Sequence, residues 1–248
     1  MNDLKNIKAL TFDFWETLYN DTPSQHDARN HFRMKWLYEY LKKHVDNLQL
    51  EELTANYAKI KKEFHAIAGK NLGKSFGISD LVLAVVNSYH IAISEKYEEI
   101  CELIAKMDEL TFLYPPIINE DAYSVVKQLA QKYPLAIISN THQTNGKAIR
   151  KLLARDGLLT AFSKYTFSDE VGIEKPSKLI FLQTLAWLEL APEEVVHIGD
   201  NKQADYYGAL NAGMQSVWLN TENEQQADNV NVLQIKRLLE IPNLLLSK

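Results

Sequence analysis

The stretch Ile7-Lys8-Ala9-Leu10-Thr11-Phe12-Asp13-Phe14-Trp15-Glu16-Thr17-Leu18 is a short apolar run that stops on an acidic residue and a polar turn. A run this brief and nearly continuously apolar suits a strand buried on both faces, the habit of a parallel sheet. Later runs have the same texture: Leu135 to Ser139, Tyr165 to Phe167, Val195 to Ile198 and Ser216 to Leu219. Between them, Asp121 to Lys132, Thr144 to Ala154, Ser177 to Glu189 and Asp205 to Ala212 have helical periodicity and would supply the crossovers that parallel strands require. The pattern predicts an α/β fold on a doubly wound parallel, Rossmann-like sheet.

A segment of different texture separates the first run from the rest. From Gln25 to Met107 the chain lacks proline, is rich in Lys, Glu, Tyr and Leu, and repeats apolar residues three and four apart, as in Phe32, Trp36, Leu37, Tyr40 and Leu41. Gly69, Gly73 and Gly77 mark a loop around Lys70 to Phe76, Leu81 to Ile93 is apolar enough for a buried helix, and Pro115-Pro116 stops helix. The expected organisation is a core domain of residues 1–19 and 116–248 with an all-helical cap domain, 20–115, inserted after the first strand. The tail is expected to form a polar loop from Asn220 to Asn231 and a last amphipathic helix from Val232 to Leu239.

Composition narrows the class of function. The 248 residues are 46% hydrophobic and 24% charged, which excludes disorder, collagen-like repeats and a disulfide scaffold. Lys and Arg number 27 against 32 Asp and Glu, a net charge of −5, so no general cationic field exists for nucleic acid or an anionic membrane, and neither partner is expected. The single cysteine, Cys101, reads as a small apolar filler on a helix and fits a reducing compartment. The N-terminus does not resemble a signal peptide, and the longest other apolar run, Leu81 to Val86, is far shorter than the ~20 residues of a membrane span. A cytoplasmic protein acting on a small molecule is expected, with oligomeric state left open.

In open parallel sheets ligands bind outside the carboxyl ends of the strands, so the polar residues that follow each run are the site candidates. They are Asp13 to Leu18, Ser139-Asn140-Thr141, Lys175-Pro176, and Gly199-Asp200-Asn201 with Asp205. Singly, each has a plain structural alternative: a turn aspartate, a helix-capping serine, a solvated loop lysine, a capping carboxylate. Together they form an ordered constellation. Asp13, Asp200 and Asp205 supply the hard oxygen ligands that Mg²⁺ prefers. Lys175 would offset carboxylate or phosphoryl charge, and Ser139 and Asn140 would donate hydrogen bonds to phosphate oxygens.

These motifs, in this order and spacing, resemble those of the haloacid dehalogenase-like (HAD) hydrolase superfamily over essentially the whole chain, with the helical C1-type cap where Gln25 to Pro116 lies. The resemblance implies a Mg²⁺-dependent phosphatase of a small phosphorylated metabolite. Asp13 would be the nucleophile that forms an aspartyl-phosphate; Ser139, Asn140, Thr141 and Lys175 would bind the transferring group. The metal would be held by Asp13, the Trp15 carbonyl and Asp200, with Asp205 ligating or supporting, and Thr17 would brace the turn.

One position departs from the pattern. Most phosphatases of the superfamily carry a second Asp two residues after the nucleophile, where this chain has Trp15, and an indole N–H has no useful acidity. The 2-haloacid dehalogenases resemble this chain in an aromatic residue there, but they usually lack an acid matching Asp200. Phosphonatases also lack the second Asp and use a cap lysine, which nothing singles out among Lys35, Lys42, Lys59, Lys70 and Lys74. A slow phosphatase is therefore expected, with a dehalogenase, a phosphonatase-like hydrolase or a non-catalytic metal- and phosphate-binding module as alternatives. Arg29 and Arg33 are expected on a solvated helix face rather than as a dehalogenase-like cap arginine. His197 reads as a buried structural imidazole, His142 as the better-placed histidine, and Phe162, Trp187 and Trp218 as core packing.

Overall fold

The computed structural model describes residues 4–70, 73–222 and 232–246. Its strands in chain order are β1 (Ala9–Phe12), β2 (Tyr19–Asn20), β3 (Ile117–Ile118), β4 (Leu135–Ser139), β5 (Lys164–Phe167), β6 (Val195–Gly199), β7 (Gln215–Leu219) and β8 (Gln234–Ile235). Six of them form one sheet in the order β5-β4-β1-β6-β7-β8, with every pair parallel. All residues of β1, β4 and β6 are buried, which is why their sequences are continuously apolar rather than alternating.

The helices are α1 (Pro23–Leu41), α2 (Leu50–Lys70), α3 (Ile78–Ser88), α4 (Tyr97–Asp108), α5 (Leu110–Leu113), α6 (Ala122–Leu129), α7 (Gly146–Arg155), α8 (Ser168–Val171), α9 (Lys178–Leu188), α10 (Gly208–Asn211) and α11 (Ile241–Leu246). On one sheet face Val125, Leu129, Ile149, Leu152 and Ile241 from α6, α7 and α11 pack on Leu10, Phe12, Ile137 and Ile198. On the other, Ile180, Phe181 and Leu185 of α9 and Ala209 of α10 pack on Ala9, Ile138 and Val195. The sheet is thus doubly wound, and the chain reverses its direction of travel across the sheet at β1.

Helices α1 to α5 fall between β2 and β3, which pair antiparallel. Thr22 caps α1 by accepting from the Gln25 N–H, and Pro23 occupies its first turn. These helices bury a core of their own, including Leu37, Leu41, Leu53, Leu81, Val85 and Ile100.

The tail differs from expectation. Val232 to Leu239 is not a helix: β8 lies within it, with Trp218 opposite Gln234 and Leu219 opposite Ile235, and the helix, α11, comes later. Val232, Ile235 and Leu238 are buried at three-residue spacing, which imitates a helical stripe, but the open edge of β7 offers backbone partners that decide the conformation. Most of the expected loop Asn220 to Asn231 lies outside the described residues. Trp187 is 41% exposed, with the Lys164 ammonium over its ring, and Cys101 is exposed on α4 rather than filling a core. No helix among the described residues is long and apolar enough to cross a membrane.

Candidate active site

The carboxyl ends of β1, β4 and β6 converge, and each delivers a polar group to the same point. Asp13 follows β1 and donates its N–H to the Ile198 carbonyl of β6, which sets it beside Asp200. Lys175, on the loop before α9, is 3% exposed; its ammonium donates to the Ile138 carbonyl (2.8 Å) and to Asp205 Oδ1 (2.6 Å) and lies 2.7 Å from Asp13 Oδ1 as an ion pair. The lysine is thus held between two carboxylates.

Asp205 is the buried anchor. Its Oδ1 also accepts from His197 Nε2 (3.1 Å), and its Oδ2 accepts from the Asn201 N–H (2.9 Å). Gly199 is required here, since a Cβ would lie 2.2 Å from Asp205 Cγ. The turn from Lys202 to Tyr207 is π-helical, with the Tyr206 N–H reaching back to the Asn201 carbonyl, and it carries Asp205 inward under the sheet edge. His197 is fully buried, with Nδ1 2.8 Å from the Thr11 hydroxyl; a neutral ring donating to Asp205 and accepting from Thr11 satisfies both nitrogens. Burial holds this imidazole below its ordinary pKa despite the pull of Asp205.

Asp200 is aimed by two contacts. Thr17 donates to its Oδ1 (3.3 Å), and the indole N–H of Trp218 donates to its backbone carbonyl (2.6 Å). Trp218, which reads from the sequence as packing alone, also holds the Asp200 backbone carbonyl through its indole N–H. Beside Asp200 opens a cleft of about 490 Å³, lined by Glu16, Asn20, Asn119 and Thr221 among others.

The electrostatics are unbalanced toward negative charge. Burial alone would raise Asp205, but Lys175 and His197 bring it well below the usual carboxylate range. Burial would lower Lys175, but Asp13 and Asp205 carry it above its ordinary value. Asp13 is raised, since burial outweighs the attraction of Lys175. Asp200 is pushed up to about 8 by burial and by the charges of Asp13 and Asp205.

Carboxylate oxygens of Asp13, Asp200 and Asp205 lie within 4.8 Å of one another, and Asp13 Oδ1 has no well-aligned hydrogen bond. An all-oxygen donor set with excess negative charge fits a hard divalent cation such as Mg²⁺. The open oxygens belong to Asp13 and Asp200, because both oxygens of Asp205 are engaged.

The loop after β4 holds itself in shape. Asn140 clasps the backbone of Lys175, accepting from its N–H (2.8 Å) and donating to its carbonyl (3.0 Å). Thr141 donates its N–H to Ser168 Oγ (3.0 Å) and its hydroxyl to Asp169 Oδ1 (2.6 Å). The Ser139 hydroxyl, fully buried and near enough to Asp13 to favour its charged form, makes no well-aligned hydrogen bond. His142 turns away: its Nε2 meets Glu174 Oε2 at 2.7 Å and its ring stacks on Phe76. Trp15 is partly buried and packs edge-on to Phe14, while Glu16, with a left-handed backbone, accepts from the Asp21 N–H (2.9 Å).

Two cations overturn the sequence reading. Arg29 and Arg33, expected on a solvated face, are 2% and 3% exposed. Arg29 pairs with Asp21 and donates to the Tyr114 carbonyl; Arg33 reaches the Gln143 carbonyl. Helix α1 turns this face inward, which a stripe of mixed Lys and Arg does not reveal.

A family model for haloacid dehalogenase-like hydrolases matches residues 7–213, the span that carries Asp13, Lys175, Asp200 and Asp205. The chain belongs to that family and is an enzyme of the hydrolase class. Among its relatives is a glyceraldehyde 3-phosphate phosphatase of Methanopyrus kandleri, 26% identical over 226 residues that cover 85% of this chain and 83% of the relative. The fold is shared with a 2-haloacid dehalogenase of Pseudomonas syringae (TM-score 0.72, 22% identity, covering 96% and 98% of the two chains). It is also shared with a HAD phosphatase of Thermococcus onnurineus (TM-score 0.64, 22% identity, covering 98% and 99%).

Proposed function

We propose that the protein is a Mg²⁺-dependent phosphatase acting on a small phosphorylated metabolite. The observation that carries this reading is the excess of buried carboxylate around a single lysine, which asks for a second cation between Asp13 and Asp200. A dehalogenase acting on an uncharged carbon–halogen bond has no use for that arrangement. The phosphatase relative from Methanopyrus kandleri supports the same choice.

Asp13 is the nucleophile: one carboxylate oxygen attacks phosphorus, the bond to the alcohol oxygen breaks, and water later cleaves the aspartyl-phosphate. Asp13, Asp200 and the Trp15 carbonyl would hold Mg²⁺, which would supply positive charge to offset the repulsion between two anions. Lys175, ion-paired to Asp13, favours its charged form against the cost of burial. The Ser139 hydroxyl is free to donate to a phosphoryl oxygen; Asn140 and Thr141 shape the loop, since their side chains are engaged. Residues 20–115 act as a cap that closes over the site and excludes water. With Trp15 in place of an acid, the departing alkoxide draws its proton from solvent, which restricts fast turnover to good leaving groups.

Phosphate release from a panel of phosphomonoesters, with Mg²⁺ and with EDTA, tests the reading. Release that depends on metal is the expected result. Silence across the panel from folded protein, together with halide release from a 2-haloacid in EDTA, would overturn it in favour of a dehalogenase.

Metal affinity is expected to depend on pH. In the metal-free protein Asp200 is protonated below about 8, and the metal needs its carboxylate, so binding at pH 6 must displace a proton that binding at pH 9 does not. Affinity therefore rises with pH and levels off above about 8. Calorimetry at pH 7 in two buffers of different ionisation enthalpy should show a proton released per metal bound; an equal heat in both would refute this.

A further inference from the structure

Arg33 and Lys61 are inward-facing cations without a counter-ion. Arg33, on α1, donates from Nη1 to Asn30 Oδ1 (3.2 Å) and from Nη2 to the Gln143 carbonyl (3.0 Å), and its buried Nε has no partner. Lys61, half-buried on α2, donates to Gln143 Oε1 (3.3 Å), and the Tyr57 hydroxyl meets Gln143 Nε2. Every partner is neutral. Among the described residues neither cation has a carboxylate within ion-pair distance; two carboxylates reach Arg33 by charge alone, Asp21, which is paired to Arg29, and Asp108, which accepts from Asn145.

Such a pair is unfavourable as it stands. Burial and the charge of Arg29 push Arg33 down to about 10, and burial and the charge of Arg33 hold Lys61 below its ordinary value. Buried charge is normally paired, and local rules of this kind are broken chiefly at functional sites.

The cluster is also well placed. Gln143 belongs to the loop that leaves β4 at Ser139, and Phe12, just before Asp13, pairs with Ile137 of the same strand. Four residues of chain keep Ser139 and Gln143 no more than about 15 Å apart, so the cluster and the Ser139 hydroxyl belong to one loop.

We propose that Arg33 and Lys61, with the Tyr57 hydroxyl beside them, bind a second anionic group of the substrate, a carboxylate or a phosphate, at the end opposite the phosphoryl group that is hydrolysed. The inference rests on the phosphatase reading above and adds to it a substrate class: phosphomonoesters with an anion at each end. A neutral analogue would leave both cations unpaired, so the site selects against it.

The test is calorimetric binding, in Mg²⁺, to the Asp13→Asn protein, which cannot turn over its ligand. Two matched pairs serve as probes: 3-phosphoglycerate against glycerol 3-phosphate, and fructose 1,6-bisphosphate against fructose 6-phosphate. In at least one pair the doubly anionic member should bind about tenfold tighter or better, and the pair that shows this identifies carboxylate or phosphate. Adding Arg33→Met should bring that ratio to about two or less. Lys61→Met, at a half-exposed position where folding is not at stake, should cut it about threefold. Equal binding within both pairs, or a ratio untouched by Lys61→Met and by folded Arg33→Met, overturns the inference. Phosphate release by the native protein is scored separately: release without the ratio defeats the inference alone, and the ratio without release defeats the phosphatase reading alone.

Discussion

Asp13→Asn is expected to reduce phosphate release to background while leaving the metal-free protein at least as stable as the native one. The first half follows from the role of the carboxylate, since an amide is a poor nucleophile toward phosphorus. The second follows from the balance of charge. Asp13 is held above its ordinary pKa because burial outweighs Lys175, and it adds to the field that pushes Asp200 up to about 8. A group whose charged form is disfavoured in the fold contributes instability at neutral pH, where it must be ionised. Removing that charge should add about 0.5–2 kcal/mol, the usual scale when a functional compromise is relieved. Lys175→Met should do the opposite, costing about 3–5 kcal/mol, because it strands Asp13 and Asp205 as buried carboxylates without a cation. Melting curves of the three proteins in EDTA separate the cases. An Asp13→Asn variant clearly less stable than native protein would mean that the ion pair with Lys175, rather than burial, dominates this site.

The strands that carry this chemistry were readable because burial on both faces writes itself into composition. Leu135 to Ser139 contains no exposed position to break the apolar run, and the polar residue that ends each such run lies at the sheet edge by topology alone. Strand β8 was hidden for the opposite reason: two residues long, it exists only because β7 has an open edge, and no local pattern records a partner. The helical block shows the limit more sharply. Lys61 is one lysine among many on α2, and Arg33 sits in a stripe that reads as solvated. Which face of a helix meets the loop at Gln143 is decided by how α1 and α2 pack on each other and on the sheet. Trp218 is intermediate, since its burial was legible and its hydrogen bond to the Asp200 carbonyl was not. Residues fixed by strand order could be placed, whereas those fixed by the docking of inserted helices could not.

Trp15→Asp is expected to accelerate hydrolysis of alkyl phosphates by about 10²-fold, the lower range for restoring general acid–base help, while changing aryl phosphates little. The asymmetry is the physical content. An alkoxide is a strongly basic leaving group that profits from a proton delivered as the bond breaks; a nitrophenolate leaves unaided. Trp15 has a donor N–H but no acidity, and Glu16, the nearest carboxylate in sequence, is exposed and turned toward the Asp21 N–H. The backbone carbonyl at position 15 persists in any variant, so the metal contact proposed for it survives the substitution. Loss of the edge-on contact with Phe14, whose ring centroid lies 5.0 Å away, should cost about 0.5–1.5 kcal/mol of stability, so the gain must come from chemistry and not from a tighter fold. Trp15→Asn is the control, matching the size and polarity of aspartate without its proton. If Trp15→Asp hydrolyses alkyl phosphates no faster than Trp15→Asn, the missing acid is not what limits this enzyme; if the two differ, the tryptophan marks a hydrolase specialised for leaving groups that need no proton.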